Sequence, residues 1–411
     1  ALTSSLRSDS SDDRKSYQSY YEFKLPVRFL KPHQVLAINR GEEEGVLQVN
    51  FQINDTVWQR AVQAQYPFNR KSLFYGTLES AARDSAQRLL LPSIERDIRR
   101  MLTEQADEHA IQVFAKNLKA LLTQPPLAGY FVLGIDPGFR TGSKVAVVDP
   151  TGKLLDTTTI YPHPPQNKLQ ESQQSINRLI DKHQVTLIVI GNGTASRETE
   201  LFVGELIKHR ESIHYIITSE AGASVYSASD LARKEFPDLD VSMRGAISIA
   251  RRIQDPLAEL VKIDPKSIGV GLYQHDVNQP KLSEALDHVV ESVVNEIGVE
   301  VNTASAPLLS YVAGIGPSLG EKIVQFREEN GPFRNREMLK RVPHLGLKTF
   351  EQCAGFLRIR NSTNPLDTTA IHPESYPIAI ELMRLLNITI KSTSNVRLAA
   401  VETFKNSQNH I

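Results

Sequence analysis

Cysteine is almost missing from this chain, and its scarcity removes several function classes. Among 411 residues only Cys353 is present. That excludes an internal disulfide and a cysteine-rich zinc site, and makes a reducing cytoplasm the expected compartment. Net charge is also missing: 47 Lys and Arg balance 47 Asp and Glu. Bulk basicity therefore cannot drive nucleic-acid binding, and any such contact must come from local patches. No run approaches the roughly 18 apolar residues of a membrane span, and no signal-peptide core opens the chain. What is there is ordinary for a globular protein, with 40% apolar and 23% charged residues. The length suits two or three domains at roughly 150 residues each. The first residue is Ala1 rather than Met, as expected of an excised fragment.

Residues 3–16 are Ser- and Asp-rich without apolar periodicity, and read as a flexible stretch or exposed loop. A mixed segment follows, with a short helix and one or two strands around Arg40-Gly41. From Leu78 to Leu122 apolar residues recur at helical spacing, until Pro125-Pro126 ends the block. From Gly129 the pattern turns to strands: Phe131 to Ile135, Val145 to Asp149 and Lys153 to Tyr161. Asp149-Pro150-Thr151-Gly152 is a turn signal, so these three predict an antiparallel meander. A helix (Gln166 to His183), a strand (Val185 to Ile190), a helix (Arg197 to Lys208) and a strand (Ile213 to Thr218) follow. Helical segments Ser224 to Lys234 and Ser242 to Ile263 close the unit. The order β-β-β-α-β-α-β-α is that of an RNase H-like fold. The expected class is multidomain α/β plus all-α. Its divisions are a helical region at 1–128, the RNase H-like domain at 129–263 and a helical connector at 264–306. A paired helical module at 307–360 and a C-terminal loop with a partial helical domain at 361–411 complete it.

The paired module rests on a duplication. Leu309, Val312, Ile315 and Gly316 recur thirty positions later as Leu339, Val342, Leu345 and Gly346. In the first copy, Gly314 and Gly316 flank a buried Ile315 and let the backbone turn sharply. The next helix, Ser318 to Asn330, then starts with unpaired amides facing outward, donors suited to a phosphate oxygen. This is helix-hairpin-helix chemistry: directed by backbone, blind to base sequence. The residues expected to contact nucleic acid are Gly314, Ile315, Gly316, Ser318, Leu319, Gly320 and Lys322 in the first copy. In the second they are His344, Gly346, Lys348 and Thr349, with Arg334 and Arg336 from the surrounding patch. His344 stands where the first copy has Gly314, which ranks the second turn as the weaker site. Between Arg327 and Arg360 eight basic residues face four acidic ones, a local surplus of 8 − 4 = +4. Two tight αα-corners with no ligand remain the plain alternative.

The candidate catalytic residue is Asp136, at the end of a buried strand and followed by Pro137-Gly138. RNase H-class nucleases place their first metal ligand there, but the two-ion clamp takes three or four converging carboxylates. The fourth strand instead ends in Asn192 between two glycines, and the closing helix opens with Arg244 as its nearby charge. Asp230, Glu198 and Glu200 are near in sequence and could substitute. Asp136 could equally cap its own turn. The expectation is a nuclease-shaped domain without a complete acidic set, so no metal site and no cofactor, with Mg²⁺ only if the Asp136 site is active. Gly191-Asn192-Gly193-Thr194 could cradle a phosphate but lacks the Lys of a P-loop. An actin-type ATPase would need a second phosphate loop, and none is visible. His163, His183, His209, His214, His275 and His288 show no metal-ligand spacing. Asn361 to Tyr376 reads as a rigid loop without derivable chemistry.

The blocks "VLAINRGEEEGVL", "RLLLPSIERDIR", "VLGIDPGFRTGSKVAVVD", "SIARRIQDPLAELVKIDPKSIGVGLYQHDV" and "NPLDTTAIHPESYP" closely resemble Tex, a bacterial transcription accessory protein family. A eukaryotic transcription elongation factor is more distantly similar. The similarity runs from about Tyr21 over nearly the whole chain. It implies a YqgF-type RNase H-like domain at about Gly129 to Ile263, then tandem helix-hairpin-helix motifs. It also implies sequence-tolerant binding of RNA and DNA and a role in gene expression without established catalysis. The family's N-terminal helix-turn-helix-like region and its C-terminal OB-fold are not expected within this chain. The leading reading is a non-catalytic nucleic-acid-binding accessory factor, cytoplasmic and monomeric. A Mg²⁺-dependent nuclease or junction resolvase, and a scaffold docking on RNA polymerase or the ribosome, are the alternatives.

Overall fold

Alternating apolar residues set the architecture, and each buried stripe finds its partner layer. The computed structural model describes every residue except Ser11, Arg14, Ala128, Asn361, Lys391 and 409–411, with side chains described to residue 405. The chain divides into two compact units, residues 1–117 with 270–285, and residues 118–269 with 286–411. No helix among the described residues is long and apolar enough to cross a membrane.

In the first unit, β1 (Leu2–Leu6), β2 (Glu22–Leu25) and β3 (Leu47–Phe51) form an antiparallel sheet in the order β2-β1-β3. The start of the expected flexible stretch is therefore a central strand. Leu2 and Ser4 point inward, and the Ser4 hydroxyl donates to the Tyr20 carbonyl at 2.8 Å, which makes a polar residue acceptable in the core. Ser11 and Arg14 of that stretch lie outside the described residues. Arg40 and Gly41 are helical. Both sit inside α1 (Pro32–Glu43), where a Cβ on Gly41 would meet Leu47 Cδ1 at 2.6 Å, so the glycine serves close packing on β3. α2 (Asp55–Gln65), α3 (Tyr75–Ser85) and α4 (Leu91–Leu122) follow, α3 and α4 being joined by a π turn over Ala86–Leu90. From Leu118 onward α4 belongs to the second unit.

The second unit opens with β4 (Val132–Asp136), β5 (Ser143–Val148) and β6 (Leu154–Ile160), the expected antiparallel meander. α5 (Leu169–His183), β7 (Leu187–Gly191), α6 (Ser196–Ile207) and β8 (His214–Thr218) extend the sheet in parallel on the other side of β4, giving the order β6-β5-β4-β7-β8. Side chains alternate across it. Leu133, Ile135, Val145 and Val147 pack with Ile176, Leu179 and Phe202 of α5 and α6. Val132, Ala146, Val148 and Val189 pack on the opposite face with Ala246, Ile249 and Ala250. Those last residues lie on the fourteen-residue helix that closes the domain. Two helices expected whole are split. Ser229 turns extended and caps Ala232, separating α7 (Ala223–Ala228) from α8 (Asp230–Glu235). Asp255 and Pro256 separate α9 (Val241–Gln254) from α10 (Pro256–Leu260), because proline cannot supply the amide that would continue the ladder.

Beyond α11 (Gln279–Ile297), β9 (Val299–Glu300) leads into α12 (Ala306–Ser310) and α13 (Pro317–Asn330). A 3-10 turn over Arg336–Arg341 then precedes α14 (Leu347–Cys353) and β10 (Leu357–Arg358), which pairs in parallel with β9. The chain closes with α15 (Tyr376–Leu385) and α16 (Ser394–Gln408).

Candidate nucleic-acid interface

The two corners have one geometry. In each, a buried apolar trio anchors the turn: Leu309, Val312 and Ile315 in the first, Leu339, Val342 and Leu345 in the second. The amide of Ile315 donates to the Val312 carbonyl at 2.8 Å, and that of Leu345 to the Val342 carbonyl at 3.1 Å. Gly314 has φ +82° and His344 has φ +69°. His344 stands in the second turn where the first has Gly314. It adopts the left-handed conformation that Gly314 adopts, at a cost of about 1–2 kcal/mol. The absent Cβ of Gly314 serves packing instead, since one would come within 3.0 Å of Gln352 Cβ on α14.

Gly316 (φ −87°, ψ 173°) and Gly346 (φ −74°, ψ 172°) start the following helices without a side-chain cap. A Cβ at either would meet open space. The amides of Gly316, Ser318, Gly346 and Lys348 find no hydrogen-bond partner among the described residues. Gly314, Gly316, Ser318, His344, Gly346, Lys348 and Arg334 are exposed, while Leu319, Lys322 and Thr349 are half-buried. Ile315 and Gly320 are buried and act as supports; a Cβ on Gly320 would strike the Ala306 carbonyl at 2.8 Å.

Arg336 does not belong to the surface and is removed from the interface. It is 1% exposed. Its guanidinium donates to the carbonyls of Leu357 (2.8 Å), Ile371 (2.7 Å) and Thr369 (2.6 Å) and to the Tyr376 hydroxyl (2.6 Å). Sequence spacing cannot tell such an arginine from a surface one, because both sit in polar stretches. The segment after Asn361, itself outside the described residues, supplies this cage: buried Asp367 accepts from the Arg336 amide, the Ser362 hydroxyl and the Tyr376 hydroxyl. Arg327 and Arg358 are half-buried and donate to carbonyls of Val301, Ala304 and Gly355. The outward basic groups are thus Arg334, Lys340, Arg341, Lys348 and Arg360.

At the carboxyl edge of the five-stranded sheet Asp136 meets one further acid, and it is none of those expected. Glu220, two residues past β8, carries charge close enough to act on Asp136, and together with burial this lifts the Asp136 carboxyl to about 6. Glycines make the room: a Cβ on Gly191 or Gly193 would overlap the Glu220 carboxylate, and one on Gly245 of α9 would lie 2.8 Å from Asp136 Oδ2. The Asn192 side-chain oxygen is used to accept the Glu220 amide at 3.1 Å. The glycine loop therefore cradles this chain's own carboxylate, which is incompatible with a phosphate seat there. The signal for Glu220 was available, since it follows its strand much as Asp136 ends one. Asp230 is exposed and pairs with Arg233, and Glu200 accepts the Tyr215 hydroxyl. Glu198 acts on His163. Arg244 turns away to the carbonyls of Phe236 and Ser227.

Among the described residues no group of three or more metal-binding side chains gathers. Two carboxylates, one with a buried and unpartnered oxygen at Glu220 Oε2, do not fit a two-ion clamp.

Four family descriptions match: "Tex central region-like" over residues 1–114, "Tex protein YqgF-like domain" over 130–254, "Helix-hairpin-helix motif" over 294–358 and "HHH domain" over 364–409. The chain is 51% identical to "Uncharacterized protein YdcI" of Bacillus subtilis, over 95% of this chain and 55% of that protein. It is 50% identical to "Transcriptional accessory protein Tex" of Neisseria gonorrhoeae, over 91% of this chain and 50% of that one. It is 39% identical to human "S1 RNA-binding domain-containing protein 1", over 92% and 44%. The chain thus spans about half the length of the curated relatives it matches.

Proposed function

Because this chain belongs to the Tex family, we propose that it binds RNA and DNA without sequence preference, through the phosphates, as part of a transcription accessory factor. One observation carries the reading: a duplicated corner whose two leading glycines, Gly316 and Gly346, present free amides to open space. Backbone donors contact the part of the polymer that is the same at every nucleotide, so they position a strand and do not read it. Exposed Arg334, Arg341 and Lys348 add charge. Affinity then falls with salt, with a log–log slope of about −0.7 for each phosphate neutralised on a single strand. Titrations against single- and double-stranded RNA and DNA at two salt concentrations test this. The expected result is binding at low salt that weakens steeply at high salt and ignores base sequence. No binding at low salt refutes it.

The RNase H-like domain is read as a non-nuclease. A resolvase reading is favoured by one fact, the meeting of Asp136 and Glu220. Incubation with Mg²⁺ or Mn²⁺ and branched DNA separates the two. Cleavage that disappears in Asp136→Asn overturns the non-nuclease reading.

A further inference from the structure

Between Asp55 and Glu79 the chain carries no acid, while Arg60, Arg70 and Lys71 all fall in that stretch. On a chain whose charges balance overall, this is a local positive surplus, and the three side chains are exposed. The same stretch exposes Tyr66 (67%), Leu73 (99%) and Phe74 (69%).

These side chains are presented by a built loop. Tyr66 caps the end of α2 and Phe74 the start of α3, so the two rings stand at the two ends of one connection. The Tyr66 amide donates to the Val62 carbonyl at 2.8 Å, and the Phe74 carbonyl accepts the Leu78 amide at 2.9 Å. Between them the Asn69 side chain accepts the Lys71 amide at 3.0 Å, and its carbonyl accepts the Ser72 amide at 3.0 Å. The Ser72 hydroxyl in turn accepts the Phe74 amide at 3.2 Å. Leu73 and Phe74 are thus held in water by a hydrogen-bonded turn that also carries Arg70 and Lys71. Beside Tyr66, α2 and α3 leave an apolar groove of about 560 Å³ lined by Val62, Phe68, Leu78 and Ala82.

Apolar groups kept in water mark contact sites, and the charge selects the partner. An aromatic ring is a platform on which any base can stack, while cationic groups track the phosphates between bases. A surface with bases and no acids suits a polyanion; a purely apolar partner would gain nothing from it.

We propose that the α2–α3 loop is a stacking site for single-stranded RNA or DNA, with Tyr66 and Phe74 against the bases and Arg70 and Lys71 on the phosphates between them. This deepens the nucleic-acid reading above and rests on it: the corners hold phosphates alone, and the loop adds contact with bases. Stacking tolerates any sequence, because every base has a π face.

The test uses the whole chain at low salt and two single strands of equal length, oligo(dT) and an abasic strand that keeps the phosphates without the bases. Wild type should bind oligo(dT) about tenfold more tightly, within the range of base–aromatic stacking. Tyr66→Ala with Phe74→Ala should erase that preference and leave the abasic strand unchanged, whereas Tyr66→Phe with Phe74→Tyr should keep it. Arg70→Ala with Lys71→Ala should weaken both strands and flatten the log–log salt slope by about 1.4, at about 0.7 for each phosphate. All four side chains are exposed, so the variants should fold, which circular dichroism and thermal unfolding check. If wild type binds both strands equally, or if the double alanine variant keeps its preference or loses both strands alike, the proposal is overturned while the phosphate reading stands. Binding to vesicles of phosphatidylserine and phosphatidylcholine that needs the two rings, with oligo(dT) affinity indifferent to them, overturns it in favour of a membrane surface. A wild-type chain that binds neither strand removes both readings.

Discussion

Replacing Arg336 with Met should damage stability and spare binding. The side chain is 1% exposed and makes four hydrogen bonds, three of them to backbone carbonyls of Leu357, Ile371 and Thr369. Methionine replaces the aliphatic stem but is shorter than arginine and donates nothing. Hydrogen bonds to a charged group contribute about 1.5–3 kcal/mol each, and the four together must first offset the cost of taking a guanidinium out of water. After the substitution that cost is gone, but the buried Leu357 carbonyl, the half-buried carbonyls of Thr369 and Ile371 and the Tyr376 hydroxyl lose a donor. A net loss of about 3–5 kcal/mol follows, in line with breaking a buried charged network. The loss should concentrate in residues 336–376, which the guanidinium ties together, so limited proteolysis should cut there first. Urea unfolding gives the size, and hydrogen exchange gives the place. Arg336→Lys should recover little, because an ammonium cannot match a planar fork with bonds to separate carbonyls. Arg334→Ala, at an exposed site two residues away, is the control and should leave stability within about 0.5 kcal/mol. If Arg336→Met leaves stability intact and lowers nucleic-acid affinity, the assignment of this arginine to the interior is wrong.

Two further outcomes follow from the sheet. The Asp136 carboxyl is raised from its ordinary value to about 6 by burial and by Glu220. Its ionised form is thus less costly in the unfolded chain, and stability contributed by the protonated acid is lost as pH rises from about 4 through 6. Asp136→Asn removes that penalty and should stabilise the domain by about 2–3 kcal/mol at pH 7.5 and by almost nothing at pH 4; urea unfolding at the two pH values checks it, and equal differences at both count against it. Gly134→Ala should destabilise by about 1–3 kcal/mol, because the new methyl would lie 2.7 Å from the Ala246 carbonyl and from Ala250 Cβ, pushing α9 off β4. A variant with unchanged thermal stability refutes that close approach.

The RNase H-like sheet was legible because its strands are continuous apolar runs bounded by turn residues, as at Phe131 to Ile135 and Val185 to Ile190. The hairpin duplication was legible for a different reason: Leu309 and Leu339 begin two copies of one spacing, and every apolar member is buried. What failed were features decided by tertiary partners. Ser4 reads as solvent-facing until the Tyr20 carbonyl appears opposite it. Arg336 and Arg334 are indistinguishable in a sequence, yet one is caged by a segment some thirty residues on and the other faces water. Glu220 follows its strand much as Asp136 ends one, but that the two meet depends on glycines on other elements whose missing side chains are informative only in three dimensions. His344 takes a left-handed position that propensity assigns first to glycine, in a turn bounded by buried Val342 and Leu345.

One small pairing bears on how a strand could be held under tension. Val299 and Glu300 pair with Leu357 and Arg358, so the chain enters and leaves the double corner at the same two-rung clasp. A force pulling the flanking segments along their sequence loads that clasp in shear before it reaches either turn. The two corners therefore keep a fixed spacing while the clasp holds. On the proposed reading, a strand laid across both corners would meet a footprint of constant length.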